Sequence, residues 1–179
     1  MTQATIFGSF SAFWTILALR LEEPIFHLGA DVAGLFGIIG VIGVFAAPLA
    51  GRVADRRGPQ LVVTLGAAAT FAAWLLFGLW GTIAGLIVGV ILLDFGMQSA
   101  LVSNQHRIYA LRPEARSRLN TVFMTGNFIG GSIGSIGATA AYHLIGWTGV
   151  SAWGAFLALI ASLLQVRSRL PRPCPAPGE

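Results

Sequence analysis

Asp94 stands inside an otherwise apolar run, Leu92-Leu93-Asp94-Phe95-Gly96-Met97-Gln98. If that run crosses a membrane, the acid costs about 2.5–3.5 kcal/mol on insertion scales at mid-span. An acid held there at such cost faces a cavity, a partner or a proton path, or else serves as a structural acid hydrogen-bonded within a bundle. Gln98 lies one helical turn on and Gln105 two turns further, so all three share a helix face. Acid and amides on one face are suited to carrying a proton or holding a polar ligand. A second group with chemistry is Gly51-Arg52-Val53-Ala54-Asp55-Arg56-Arg57-Gly58, followed by Pro59. Its glycines permit a tight turn, and Asp55 can meet the positive end of a helix or an arginine.

Two other patterns carry no chemistry. Gly130-Gly131-Ser132-Ile133-Gly134 has the spacing of a serine-hydrolase nucleophile turn, which requires a sharp strand-to-helix turn. Here it falls inside a glycine-rich apolar run. His27, His106 and His143 are scattered, without metal-ligand spacing. No cofactor or metal is expected, and no enzymatic activity: Ser132 with His143 is a poor nucleophile–base pair.

The elements that must position these residues are long apolar blocks. The chain is 55% hydrophobic and 10% charged, with mean hydropathy +0.77, whereas a soluble domain carries about 25% charged residues. A bilayer core needs roughly 20 apolar residues per helix. Six blocks approach that length, at 4–21, 31–51, 61–80, 83–104, 119–142 and 147–166. They are continuously apolar and rich in Ala, Leu and Gly, without the alternation of barrel strands. The composition therefore predicts an all-α membrane protein of six spans over 1–166. The Pro-rich remainder, 167–179, has little to bury and reads as a disordered tail. It holds Cys174, a single cysteine that makes no internal disulfide. The first block lacks the positive flank of a signal peptide and reads as a true span.

All eleven positive side chains are arginine. Ten of them (52, 56, 57, 107, 112, 116, 118, 167, 169 and 172) fall between spans two and three, between four and five, and after six. With six spans those segments share one face, and the positive-inside rule makes it cytoplasmic, with both termini. Arg20 stands on the other face with Glu22, Glu23 and Asp31. Trp80 and Trp147 are expected at that outer interface. The basic balance is topology; no nucleic-acid-binding module accompanies it.

Glycines per span run 1, 5, 2, then 3, 5, 2, two triplets each with a Gly-rich middle helix. Such triplets fit a 3+3 inverted repeat. Gly126, Gly130, Gly134 and Ala138 form a small-residue stripe on span five, where helix backbones can approach closely. That seam is either internal packing or a contact with another bundle.

The Gly51–Gly58 segment resembles the G-x-x-x-D-R-x-G loop of the major facilitator superfamily, which follows the second helix of a six-helix half. The stretch Asn104 to Asn120, with Pro113-Glu114-Ala115-Arg116-Ser117-Arg118 before a Gly-rich helix, resembles the loop between the fourth and fifth helices of the C-terminal half in efflux-type members. The resemblance covers about 4–166, half of a twelve-helix transporter. It implies proton-coupled efflux of a small molecule by an antiporter in the bacterial inner membrane. The missing N-terminal half, or a second copy of the bundle, would be the partner. It implies that Gly51, Asp55, Arg56 and Gly58 gate the cytoplasmic side, with Asp55 meeting a helix start near 118–120. It also implies that the first and fourth helices line a central cavity, which here offers Ser11, Trp14 and Thr15 with Asp94 and Gln98. A non-transporting accessory or structural membrane subunit is the rival expectation.

Overall fold

The computed structural model describes residues 2–28 and 30–167, and within them omits the side chains of 30, 31, 42–44, 46, 47, 50, 55, 111 and 113. Asp55 and Asp31 as side chains, and the tail from 168 on, therefore lie outside the described residues. The elements among the described residues are all helices: α1 Thr2–Glu22, α2 Ala30–Val44, α3 Ala46–Arg57, α4 Pro59–Leu79, α5 Ile83–Leu111, α6 Arg116–Ile145 and α7 Trp147–Arg167, with a 3₁₀ turn at Pro113–Ala115. Five of these helices are long and apolar enough to cross a membrane: α1, α4, α5, α6 and α7. The remaining crossing is divided between α2 and α3.

That division corrects the single run expected over 31–51. Pro48 has no N–H to give the carbonyl four residues back, and its ring crowds the same carbonyl. The helix breaks one turn earlier, at Phe45. At 15 residues, α2 spans only about 22 Å by itself, so the start of α3 completes the crossing.

The turns are also tighter than the arginine-rich segments suggest. Gly51 is helical, and α3 continues through the motif to Arg57. Only Gly58 turns, at φ +88°, in the left-handed region that favours glycine. Pro59 then opens α4, where a missing N–H costs nothing. Likewise α5 runs past 104 to Leu111, and α6 begins at Arg116 rather than 119. Arginine is a good helix former, so a change from apolar to charged sequence marks the edge of the membrane, not the end of a helix.

The packing has internal symmetry. α1 lies along α6, and α5 lies along α2 and α3, so each triplet's first helix packs on the other's middle helix. α4 packs on α5, α7 packs on α1, and α4 and α7 meet each other. Exchanging the first three spans for the last three maps this set of pairings onto itself. With three spans in each, the two units run in opposite senses, which is the 3+3 arrangement.

Lipid tails are as apolar as leucine, so close packing and interhelical hydrogen bonds must hold such a bundle. At its centre the rings of Phe13 and Phe77 stack at 4.5 Å, with Trp74 and Trp147 edge-on around them. The indole of Trp74 donates to Ser9 Oγ at 2.5 Å, Ser9 donates to the Gly154 carbonyl at 3.1 Å, and Trp147 donates to the Phe77 carbonyl at 2.8 Å. Trp147 opens α7 at the end of the bundle that carries Arg20, with its ring buried against the neighbouring helices, and Trp80 is half exposed.

The arginine end is tied by Asn104 donating to Gln3 (3.1 Å) and by Tyr109 donating to Asn120 (2.7 Å). At the far end Arg20 pairs with Glu23 and lies over the rings of Trp147 and Phe26, and Tyr142 donates to Glu23 at 3.1 Å.

The small-residue stripe packs inside this bundle. A β-carbon on Gly130 would collide with the Ala4 carbonyl and one on Gly134 with the Gly8 carbonyl, while a β-carbon on Gly8 would lie 2.6 Å from the Gly130 carbonyl oxygen. Gly126, on the same stripe, faces open space. Replacing Gly134 with Val should therefore lower stability by at least the roughly 1–3 kcal/mol of an overpacked core. Gly126→Ala should stay within about 0.5 kcal/mol of the parent. Unfolding of the two variants in detergent, followed by helical circular dichroism, checks the contrast.

Candidate functional site

Asp94 sits near the middle of α5 and is 6% exposed. It faces α2 and α1. A β-carbon at Gly40 would lie 3.4 Å from Asp94 Oδ1, 3.5 Å from Oδ2 and 3.5 Å from Cζ2 of Trp14. The glycine thus leaves the room in which an acid and an indole converge. Among the described residues, Asp94 Oδ2 and Trp14 Nε1 are both buried without a hydrogen-bond partner. The only ion pair among those residues is Arg20–Glu23, at the far end, so none of the described arginines pairs with Asp94. An unpaired buried acid is costly, which makes Asp94 the candidate for a working position in a membrane.

Ser11 and Thr15 face the other flank of α1, toward α6. Ser11 Oγ and Ser135 Oγ are 2.8 Å apart, and Thr15 Oγ1 lies 2.8 Å from both Ser135 Oγ and the Ser11 carbonyl oxygen. Trp14, on the turn between them, reaches toward Asp94 instead. Three expected residues of α1 therefore serve two adjoining places, one against α5 and α2, the other against α6. Gln98 and Gln105 are half-buried along α5 on the Asp94 face.

Gly40 and Ser135 escaped notice in the sequence. Gly40 was one of five glycines in its span, with nothing local to mark it as the one opposite the acid. Ser135 was hidden in a run of glycine and serine, and it needs the α1–α6 crossing to acquire partners.

The arginine segments offer less geometry. Arg56 is exposed at the end of α3, Gly51 is half-buried and helical, and Gly58 supplies the turn. The side chain of Asp55, on which the expected gating role turns, lies outside the described residues. Among the described residues no group of three or more His, Cys, Asp or Glu is placed to hold a metal ion.

With this geometry in place, comparison with known proteins is informative. The family model described as Major Facilitator Superfamily matches residues 1–178. The Escherichia coli O157:H7 protein named "Uncharacterized transporter YgaY" is 37% identical over 162 residues, covering 90% of this chain and 41% of its own length. The Streptomyces coelicolor protein named "Probable transporter SCO4007" is 36% identical over 168 residues, covering 92% of this chain and 39% of its own length. Among solved structures, an autoinhibited peptide transporter of the POT family superposes with a TM-score of 0.75 over 99% of this chain and 38% of that one, at 22% identity. That likeness is one of fold. The chain thus spans about two fifths of the length of the relatives it matches.

The unpaired acid can be checked directly. A membrane-soluble carbodiimide should modify Asp94 ahead of the exposed Glu22 and Glu114, and a water-soluble carbodiimide should show the reverse order. Peptide mass spectrometry of the labelled chain reads both.

Proposed function

This chain belongs to the Major Facilitator Superfamily, and from that premise we propose that it works in proton-coupled efflux of a small molecule, as one six-helix unit of a transporter. The observation that carries this reading is Asp94: an acid at mid-span, buried against Gly40 and Trp14, with no basic partner among the described residues. A carboxyl so placed takes up a proton when the cavity opens to one side and gives it up when it opens to the other. Substrate moving in the opposite sense makes the cycle an antiport. Gln98 and Gln105 extend a polar track along the same helix face toward the arginine end.

Alternating access requires a second bundle to rock against. The chain covers 41% and 39% of the two transporters it matches, which supports a partner half or a second copy. The segment Gly51, Asp55, Arg56 and Gly58 would bias the gate at the arginine end. That end faces the cytoplasm of the bacterial inner membrane in this reading, in keeping with where the arginines gather.

Two outcomes are expected. In vesicles carrying the assembled transporter, Asp94→Asn abolishes substrate-driven proton movement while leaving the protein in the membrane; coupling that persists in the variant removes Asp94 from the mechanism. Cys174, the single cysteine, reports orientation. A membrane-impermeant maleimide should label it in inverted vesicles and not in intact cells.

A further inference from the structure

A groove of about 740 Å³ opens along α6 beside the start of α1. Its walls are apolar: Leu119, Val122, Phe123, Ile129 and Ile133 of α6, with Ile108 of α5. Gly126 widens it, since nothing lies within 4 Å of where a β-carbon there would stand. The volume falls in the range of about 300–1,000 Å³ usual for small-molecule sites. None of the lining residues carries a charge.

Two buried amides interrupt this apolar wall. Both line the groove, Gln3 at 3% exposure and Asn127 at 4%. The α1–α6 crossing brings them to one level: Ala4 meets Gly130, Gln3 precedes Ala4, and Asn127 stands about one turn before Gly130. Gln3 Oε1 accepts from Asn104 Nδ2 at 3.1 Å, which fixes the amide, and Gln3 Nε2 is left without a hydrogen-bond partner among the described residues. Asn127 Nδ2 leans on Met124 Sδ at 4.0 Å, so its Oδ1 is the end left to accept. Thr5, the third polar side chain of the wall, is satisfied by the Thr2 carbonyl at 2.9 Å. The groove therefore sets one amide donor and one amide acceptor at the same level in apolar surroundings.

Polar groups left unmet in hydrocarbon are costly. An acyl chain in the groove would meet neither amide. A helix laid along it spends its own N–H and C=O groups internally. A charged group would find no counter-charge on the walls. What satisfies both atoms and fills the groove is neutral, apolar in its body, and carries an N–H beside a C=O. We infer that this groove is a ligand subsite for a lipophilic molecule bearing one amide, with its carbonyl on Gln3 Nε2 and its N–H on Asn127 Oδ1. The inference rests on the transporter reading and gives it a substrate class. It makes binding independent of Asp94, which faces Gly40 of α2 and Trp14.

The probe is 4-benzoylbenzamide, a neutral diaryl ketone with a primary amide, which inserts into neighbouring C–H bonds on illumination. With the purified chain in lipid nanodiscs, peptide mass spectrometry should place insertion on Gln3–Thr5, Leu119–Phe123 and Ile129–Ile133. Biphenylcarboxamide should compete for the site. Its N,N-dimethyl derivative, which keeps the carbonyl and loses the N–H groups, should compete about tenfold less well, as expected for loss of one hydrogen bond of roughly 1.4 kcal/mol. Biphenyl, with neither group, should compete about a hundredfold less well. In Asn127→Leu the two amides should compete equally, because the acceptor that told them apart is gone; a merely structural role for Asn127 would leave their ratio unchanged. Gln3→Leu should weaken both amides about tenfold, while Asp94 keeps its reaction with membrane-soluble carbodiimide, which reports an intact fold. Biphenyl competing as well as its carboxamide, an unchanged amide ratio in Asn127→Leu, or labelling concentrated on Ser11 and Ser135 outside the groove overturns the inference. Labelling lost once a second bundle is bound also overturns it, because that bundle then covers the groove. Asp94→Asn should leave labelling unchanged. Lost coupling with labelling intact is then expected of that variant, whereas coupling that persists in it overturns the proton-coupled reading alone. Absent labelling in a coupled transporter overturns the subsite alone.

Discussion

Where α6 crosses α1, the Gly8 carbonyl occupies the place a β-carbon on Gly134 would need, and the Ala4 carbonyl does the same to Gly130. Two helix backbones in contact at this level fix each other's rotation and height, because no side chain lies between them to deform. The residues one and two turns beyond are then fixed as well. Ser11 follows Gly8 by three positions and Thr15 by seven, and both meet Ser135, the neighbour of Gly134. The hydroxyl contact is thus a consequence of the glycine contact. Moving α6 outward by the width of one methyl group would break it.

The opposite pair shows what happens without such a lock. By the internal symmetry, α5 on α2 and α3 is the counterpart of α1 on α6, yet α2 ends at Val44, before Pro48, and α6 runs unbroken for 30 residues. The broken side holds the acid. Gly40 leaves a gap in front of Asp94 that a side chain would fill in ordinary van der Waals contact, at 3.4–3.5 Å. One flank of α1 is therefore rigid and hydroxyl-lined, and the other is looser and carries an ionisable group. The same helix pairing is thus regular on one side of α1 and broken on the other, and the ionisable group lies on the broken side.

Much of this could be read from the amino-acid order. Long apolar blocks and the gathering of arginines gave the spans, and the glycine series gave the triplets, because span length and close helix packing are imposed by the bilayer on composition itself. Asp94 could be picked out for the same reason: an acid in such a run is expensive. Helix ends were less legible. The segments 52–57 and 105–111 change from apolar to charged, yet stay helical, because leaving the membrane does not require leaving the helix. Trp147 could be given an end of the bundle but not its partners, an acceptor in the Phe77 carbonyl and a cation in Arg20. Gly40 and Ser135 could not be found at all, since each matters only through a residue more than 50 positions away.

The distribution of exposed surface completes the physical picture. α6 is the least buried of the long helices, and Val122, Phe128, Ile129, Ile133 and Ile136 are exposed along it. In water such a face would be a liability, but in a membrane lipid can cover it. What lipid cannot satisfy is polarity. The hydroxyls of Ser11, Thr15 and Ser135 reach the edge of that same face, and Asp94 and Trp14 hold unpartnered polar atoms one helix away. The hydroxyls satisfy one another and the Ser11 carbonyl, so lipid over their edge of the bundle leaves them paired. Asp94 Oδ2 and Trp14 Nε1 are buried inside the bundle, and an ionisable group placed there must find its partner in protein or in water admitted to it, because acyl chains offer none.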